Sequence, residues 1–94
     1  MTQVLQRYSK RQSTGHSVYE GTEEECRHYM QAEIRRVTHS FLSTGERNRL
    51  VSAQEFYNLP ADSITNEMLH SPDVFNYMYE SFSQYFYIQD SVHA

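Results

Sequence analysis

The stretch GTEEECRHYMQAEIRRVTHSFLSTG, residues 21–45, contains the start, the periodicity and the end of one long helix. Thr22 followed by Glu25 is the pattern of a capping box, and three consecutive glutamates suit the positive end of a helix dipole. Apolar residues then recur at spacings of three and four, as on one helical face: Cys26, Met30, Ile34, Val37 and Phe41. We predict a helix over about residues 23–43, with Gly45 as its stop.

The residues before this helix predict a β-hairpin. Residues 3–11, QVLQRYSKR, fit an extended strand, and residues 16–20, HSVYE, are rich in β-branched and aromatic side chains. Between them, residues 13–15, STG, can form the turn. The exposed face of the hairpin is then expected to be basic, with Arg7 and Arg11 in register and Lys10 opposite.

The residues just after the long helix are ambiguous. Residues 46–60, ERNRLVSAQEFYNLP, fit a short helix in which Ser52 and Glu55 form a capping box, and they fit a strand equally well. Asp62 or Ser63 is then expected to cap a short helical turn that continues through Leu69.

The last third of the chain is dominated by aromatic side chains. The sequence Ser-Pro-Asp at residues 71–73 is a helix start signal, and it opens FNYMYESFSQYFYI, residues 75–88, in which seven of fourteen residues are aromatic. At about 100° per residue, one broad face is predicted to be core. That face consists of Phe75, Met78, Tyr79, Phe82, Tyr85 and Phe86, and the opposite face holds Tyr77, Tyr87 and Ile88. A strand with Phe75, Tyr77 and Tyr79 on one side is the weaker alternative.

These elements predict an α+β fold in a single domain, residues 1–94. An N-terminal β-hairpin packs on a long helix, and a short helix and an aromatic-rich C-terminal helix follow. A chain of 94 residues has room for one small hydrophobic core. The single cysteine, Cys26, cannot form an intramolecular disulfide, and its place on the apolar face of the helix predicts that it is buried.

No sequence feature indicates a membrane or secreted protein. No apolar run approaches the roughly 20 residues of a membrane span. The first residues, MTQVLQRYSKRQ, lack the apolar core of a signal peptide. We therefore expect a cytoplasmic protein.

No combination of residues indicates catalysis or a metal site. Three glutamates directly before Cys26 oppose a reactive thiolate, and Cys26 and His28 point to different sides of a helix. The histidines have no ligand spacing, and there is no phosphate-binding loop or nucleophile elbow. We expect a protein that is not an enzyme and has no metal and no cofactor.

The charges are divided unevenly along the chain. All eight bases lie at or before Arg49, although the net charge is −4. Residues 50–94 contain no Lys or Arg and six acids: Glu55, Asp62, Glu67, Asp73, Glu80 and Asp90. A surface of carboxylates and aromatic rings attracts basic surfaces, and tyrosine is enriched at protein interfaces.

The charge pattern therefore predicts a non-catalytic protein-binding module, a small acidic inhibitor or adaptor that occupies a basic surface of a nucleic-acid-handling partner. Tyr77, Tyr87 and Ile88 are the predicted partner-binding anchors, and Asp73, Glu80 and Asp90 are the predicted steering charges. The same aromatic side chains could instead form a homodimer interface. At the level of class only, the profile is similar to small virus- or mobile-element-encoded proteins of host–virus interaction that inhibit a host nucleic-acid machine by occupying its basic surface. That similarity rests on size, acidity and the lack of catalytic motifs.

The alternative prediction is a nucleic-acid-binding regulator that uses the basic N-terminal half. Basic clusters beside a tyrosine, here Tyr8, can hold single strands. The residues assigned to this function are Arg7, Lys10, Arg11, Arg35 and Arg36. The acidic net charge argues against this alternative, since nucleic-acid-binding domains are usually basic.

Overall fold

The computed structural model describes residues 1–9 and 11–90. The α+β class predicted from the sequence is confirmed. By their contacts, the described residues group into two compact units: unit 1 comprises residues 1–9, 11–35 and 82–90, and unit 2 comprises residues 36–81. The prediction of a single domain stays a prediction, and each unit has its own description below.

Unit 1 contains a three-stranded antiparallel sheet. Its strands are β1 (Thr2–Gln6), β2 (His16–Gly21) and β3 (Phe86–Asp90), in the order β2-β1-β3. In the central strand, Val4 is fully buried and pairs with Tyr19 on one side and Ile88 on the other. The predicted hairpin is confirmed, but β1 ends at Gln6. Since Arg7 and Arg11 lie beyond the strand, the expectation that they share one strand face is wrong.

Helix α1 (Glu23–Ser43) has the predicted bounds and begins with the predicted capping box. The Glu25 N–H donates to the Thr22 hydroxyl at 3.1 Å, and the Thr22 N–H donates to the Glu25 carboxylate at 3.0 Å. Cys26 is buried as predicted, and its thiol donates to the Thr2 carbonyl at 3.2 Å, which ties the helix start to β1. Tyr29, one turn further, stacks on Tyr19 of β2 with ring centroids 4.5 Å apart.

In unit 2, the segment after α1 is a helix and not a strand. Residues Glu46–Tyr57 form helix α2, which ends at Asn58 in the left-handed conformation, φ 56°. The Ser52 hydroxyl lies inside this helix and donates to the Asn48 carbonyl at 2.7 Å, so the predicted Ser52 cap is wrong.

The short helix of unit 2 has a different cap from the one predicted. A single 3₁₀ turn, Ala61–Ser63, precedes helix α3 (Asn66–Leu69). The hydroxyl of Thr65 accepts the Met68 N–H at 3.1 Å. Neither Asp62 nor Ser63 caps α3, because the chain remains extended at Ile64 and Thr65 before the helix begins.

Helix α4 (Pro72–Ser83) starts where the sequence predicts, with the Ser71 hydroxyl accepting the Asp73 N–H at 3.1 Å. Of the predicted core face, Met78 is buried and Phe75, Tyr79 and Phe82 are half-buried, while Val74 is buried as well. The prediction that the helix continues to Ile88 is wrong. A turn at Gln84 and Tyr85 ends it, and the following residues pair with β1 as strand β3.

Among the described residues, no helix combines the length and the apolar character that crossing a bilayer requires.

Candidate functional site

The aromatic side chains exposed on helices α2 and α4 of unit 2 form the candidate site. Phe56, in the last turn of α2, is 38% exposed, and Tyr77, in the middle of α4, is 37% exposed. Their ring centroids are 5.7 Å apart, and the ring planes are inclined by 59°. We call the set Glu55, Phe56, Asp73, Tyr77 and Glu80 the acid–aromatic surface.

Carboxylates border the aromatic pair. The Tyr77 hydroxyl donates to the Glu55 carboxylate at 3.4 Å. Asp73 precedes Tyr77 by four residues and Glu80 follows it by three, so both lie on the same side of α4 as Tyr77, within one turn. Both are exposed. The acid–aromatic surface therefore combines two partly exposed aromatic rings with three carboxylates.

This combination is suited to binding cations. Guanidinium and ammonium groups are attracted to aromatic faces and form charge-assisted hydrogen bonds with carboxylates. Removing adjacent exposed aromatic side chains from water is favourable, so a partner that covers them is bound more tightly. The carboxylates of the acid–aromatic surface attract cationic groups and repel phosphates.

Tyr87, a predicted partner-binding anchor, has a different environment in unit 1. Its hydroxyl accepts the Gly15 N–H at 2.9 Å, and the Arg7 guanidinium lies over its ring, 4.1 Å from the centroid. The neighbouring residues Ile88 and Asp90 also make contacts within the sheet. Ile88 is half-buried and pairs with Val4, and the Asp90 carboxylate accepts the Thr2 hydroxyl at 3.3 Å.

The structure therefore divides the predicted partner-binding residues between the two units. Asp73, Tyr77 and Glu80 lie on α4 in unit 2, and Tyr87, Ile88 and Asp90 lie on β3 in unit 1. The prediction that Tyr77, Tyr87 and Ile88 share one helix face is wrong, because Tyr87 and Ile88 are in a strand. A role in partner binding for Tyr87, Ile88 and Asp90 stays a prediction.

The basic residues of the alternative prediction also differ in their environments. The Arg7 guanidinium donates to the Gln84 carbonyl at 3.2 Å in addition to covering Tyr87. Arg11 is exposed in the hairpin loop. Arg35 and Arg36 are exposed on α1, Arg35 in unit 1 and Arg36 in unit 2. Lys10 lies outside the described residues.

An open groove in unit 1 lies where β2 meets the start of α1, between the Tyr19–Tyr29 stack and Glu24, Glu25 and His28. Hydrogen bonds from the Thr22 backbone N–H, and then from its hydroxyl, hold the pKa of the Glu25 carboxyl below its ordinary value. Glu25 is thus a charged capping residue in this groove. Within residues 1–9 and 11–90, no group of three His, Cys, Asp or Glu side chains is suited to a metal ion.

Two residues of the acid–aromatic surface, Glu55 and Phe56, were not predicted from the sequence. They lie in the segment whose structure the sequence left open, and in helix α2 both contact Tyr77. The dipeptide Phe56-Tyr57 beside an acid, in a region without bases, was the available signal.

Comparisons of this chain with models of protein families, with curated proteins and with solved structures find no match. The acid–aromatic surface is therefore interpreted from its own chemistry.

Proposed function

We propose that the protein is a non-catalytic protein-binding module whose acid–aromatic surface docks on a basic patch of a partner. The observation that carries the proposal is the exposed contact between Phe56 and Tyr77, with the Glu55 carboxylate at its edge. Docking would bury both rings, and cationic side chains of the partner would meet the three carboxylates of the surface.

The charge distribution supports a fast, charge-steered association. Opposite potentials on two partners raise the association rate, and salt screens the effect over about 10 Å at 0.1 M. Unit 2 carries six acids against three bases, and no base follows Arg49. Binding by the acid–aromatic surface should therefore weaken as the salt concentration rises.

A partner that handles nucleic acid fits this surface best. Such proteins carry basic grooves that bind phosphates, and they often stack aromatic side chains on bases. Carboxylates and rings on one surface offer both kinds of contact to the same groove. A module of this kind would act as an inhibitor or an adaptor by occupying the groove.

A homodimer through the same surface is less favourable on electrostatic grounds. Two copies would bring Glu55, Asp73 and Glu80 of one close to the same carboxylates of the other. Like charges placed opposite each other across an interface cost free energy. Light scattering measures the mass in solution, and a dimer that Tyr77→Ala dissociates would overturn the proposal of a foreign partner.

The test uses a basic peptide containing several arginines and a fluorescent label, titrated with the protein at low salt. Tyr77→Ala should weaken binding about tenfold or more, since truncating an aromatic hot-spot residue at an interface costs about 2 kcal/mol. The matched control is Tyr8→Ala, which removes a tyrosine that is 76% exposed in unit 1. Equal loss in both variants, or no binding by the wild type, would contradict the assignment.

The class of partner is tested by affinity purification with the same three proteins as bait. The proposal expects basic nucleic-acid-handling proteins that bind the wild type and Tyr8→Ala and are lost with Tyr77→Ala. Retention of the same proteins by Tyr77→Ala would show that another surface binds them.

A further inference from the structure

The loop that joins β1 to β2, residues 7–15, presents an exposed aromatic ring. Tyr8 is 76% exposed, more than any other large apolar side chain described. Its ring stacks on the exposed side chain of His16, with centroids 4.7 Å apart and planes inclined by 19°. The Tyr8 hydroxyl also lies within hydrogen-bond distance of His16 Nε2, at 3.3 Å, and this contact holds the two side chains together. One face of Tyr8 is thus covered by His16, and most of the ring remains open to solvent.

Hydrogen bonds within the loop hold Tyr8 in place. The Tyr8 N–H donates to the Gln12 side-chain carbonyl at 2.9 Å, and the Gln12 N–H donates to the Ser9 carbonyl at 3.1 Å. At the base of the loop, the Gly15 N–H donates to the Tyr87 hydroxyl, and Arg7 covers the ring of Tyr87. A ring that is already ordered loses little conformational entropy when a flat ligand stacks on it.

The charge around this ring is opposite to the charge of the molecule as a whole. Residues 1–19 contain no Asp or Glu and three bases, although the net charge of the protein is −4. Of these bases, Arg7 is engaged with Tyr87 and Gln84, and Arg11 is exposed in the loop three residues after Tyr8. The loop therefore attracts anions, whereas Tyr77 has carboxylates on its side of α4.

We propose that the Tyr8–His16 pair is a stacking platform for an unpaired base of single-stranded nucleic acid, and that Arg11 binds a phosphate next to that base. An open aromatic face and a cation match the two parts of a nucleotide, its flat base and its anionic phosphate. Bases in a duplex are already stacked on each other, so the platform prefers single strands. This inference goes beyond the proposed function and does not rest on it, since all its residues belong to unit 1.

The structure reduces the set of basic residues assigned to the alternative prediction, a nucleic-acid-binding regulator. Arg7 supports the loop through Tyr87 and is not free to follow a phosphate backbone. Arg35 and Arg36 lie on α1 and are not part of the platform. The aromatic pair, which includes a histidine that the sequence analysis did not assign, provides the stacking contact, and a single exposed arginine provides the charge.

The experiment measures fluorescence anisotropy of a short labelled oligothymidylate, and of the matching oligouridylate, at about 50 mM salt. Tyr8→Ala should weaken binding roughly tenfold or more, since a stacked base contributes strongly to single-strand binding. Tyr8→Phe keeps the ring and should stay within about twofold of the wild type. The matched control is Tyr77→Ala, which removes an exposed tyrosine from an acidic setting and should bind like the wild type.

Arg11→Gln separates the phosphate contact from stacking. Loss of one phosphate contact should lower the slope of log K against log salt by about 0.7 for a single strand. Circular dichroism of each variant checks that it is folded, and Tyr8→Ala is expected to fold because Tyr8 is mostly exposed. A folded Tyr8→Ala variant that binds as tightly as the wild type would overturn the proposal.

Three other outcomes would also overturn the platform. The first is no change of anisotropy with the wild type at low salt. The second is equally tight binding of a duplex of the same length, which would mean that charge alone is recognised. The third is binding to vesicles that contain phosphatidylserine without binding to the oligonucleotides, which would assign the loop to anionic membranes. None of these results bears on Phe56 and Tyr77, so the proposed function is tested separately.

Discussion

Tyr77 in unit 2 and Tyr87 in unit 1 carry the same side chain in opposite settings. The Tyr87 hydroxyl accepts a backbone N–H at 2.9 Å, and an arginine covers its ring. The Tyr77 hydroxyl reaches a carboxylate at 3.4 Å, and its ring, in contact with Phe56, is more than a third exposed. A tyrosine whose hydroxyl and ring both have partners within its own unit stabilises the fold. A tyrosine with a long hydroxyl contact and an open ring is available for binding.

The largest effect that tests this comparison is expected from Tyr87→Ala. The substitution removes the ring below Arg7 and the acceptor for Gly15, and it should lower the free energy of unfolding by about 2–3 kcal/mol. Tyr77→Ala should cost less than about 1 kcal/mol, because its ring is more exposed and its hydroxyl contact is long. Urea denaturation of both variants measures the difference. Similar losses would mean that the two tyrosines do not differ in role.

Gly15→Ala tests the backbone packing at the residue that donates to the Tyr87 hydroxyl. A Cβ at residue 15 would lie 2.7 Å from the Gln6 carbonyl oxygen, and this backbone atom has to move. We expect the free energy of unfolding to fall by about 1–2 kcal/mol. Oligonucleotide binding should also weaken, because the Tyr8 loop shifts.

Tyr87→Phe removes only the hydroxyl and should lower the free energy of unfolding by about 1 kcal/mol. The double variant should cost less than the sum, because the loop shift caused by Gly15→Ala displaces its N–H from the same Tyr87 hydroxyl that Tyr87→Phe removes. Full additivity would contradict this coupling.

Helix capping offers a smaller test of the difference between the units. In unit 1, Thr22 and Glu25 exchange hydrogen bonds in both directions, whereas in unit 2 Thr65 only accepts one from Met68. Thr22→Ala should cost about 1 kcal/mol and Thr65→Ala about 0.5 kcal/mol, as measured by urea denaturation. A larger loss for Thr65→Ala would mean that the short helix α3 depends more on its cap than α1 does.

The smallest expected effect is a pH dependence from Glu25. Its pKa in the folded protein is lowered by the bonds to Thr22, so its stabilising effect is present above the ordinary glutamate pKa, about 4.3, and is lost as the pH falls through the lower folded value. Glu25→Gln retains an amide oxygen that can accept the Thr22 N–H and does not titrate. The stability advantage of the wild type over Glu25→Gln should therefore shrink below about pH 4.3. A constant difference across this range would contradict the capping role of the charge.

Local signals in the sequence were sufficient for helix α1. Its cap and its apolar face are set by neighbours three and four residues apart, so the information lies within the segment itself. The start of α4 was predictable for the same reason, since Ser71 and Pro72 act on the first turn. Strand β3 was missed because residues 84–88 continue the aromatic helical pattern without a glycine or proline. Residues 86–90 form a strand because they pair with β1, about eighty residues earlier in the chain.

The candidate site was predicted in part. Asp73, Tyr77 and Glu80 were predicted to lie in one helix, and they do so in α4, whose start signal is clear. Their role in partner binding stays a prediction. Phe56 and Glu55 were missed, since their contact with Tyr77 depends on the structure of a segment that the sequence left open. Tyr87 was placed on the wrong element, and its bonds to Arg7 and Gly15 could not be inferred from spacing. Contacts between distant segments therefore distinguish Tyr77, the proposed binding residue, from Tyr87, which has partners within its own unit.

The strand order β2-β1-β3 has a consequence for how the protein is made. Strand β1 leaves the ribosome before every other described element, and its partner β3 follows about eighty residues later. At 5–20 residues per second, β1 waits between about 4 and 16 s with one hydrogen-bonding edge uncovered. During synthesis the nascent hairpin is therefore open to pairing with another chain, and we expect the yield of correctly folded protein to fall when translation past residue 43 is slowed.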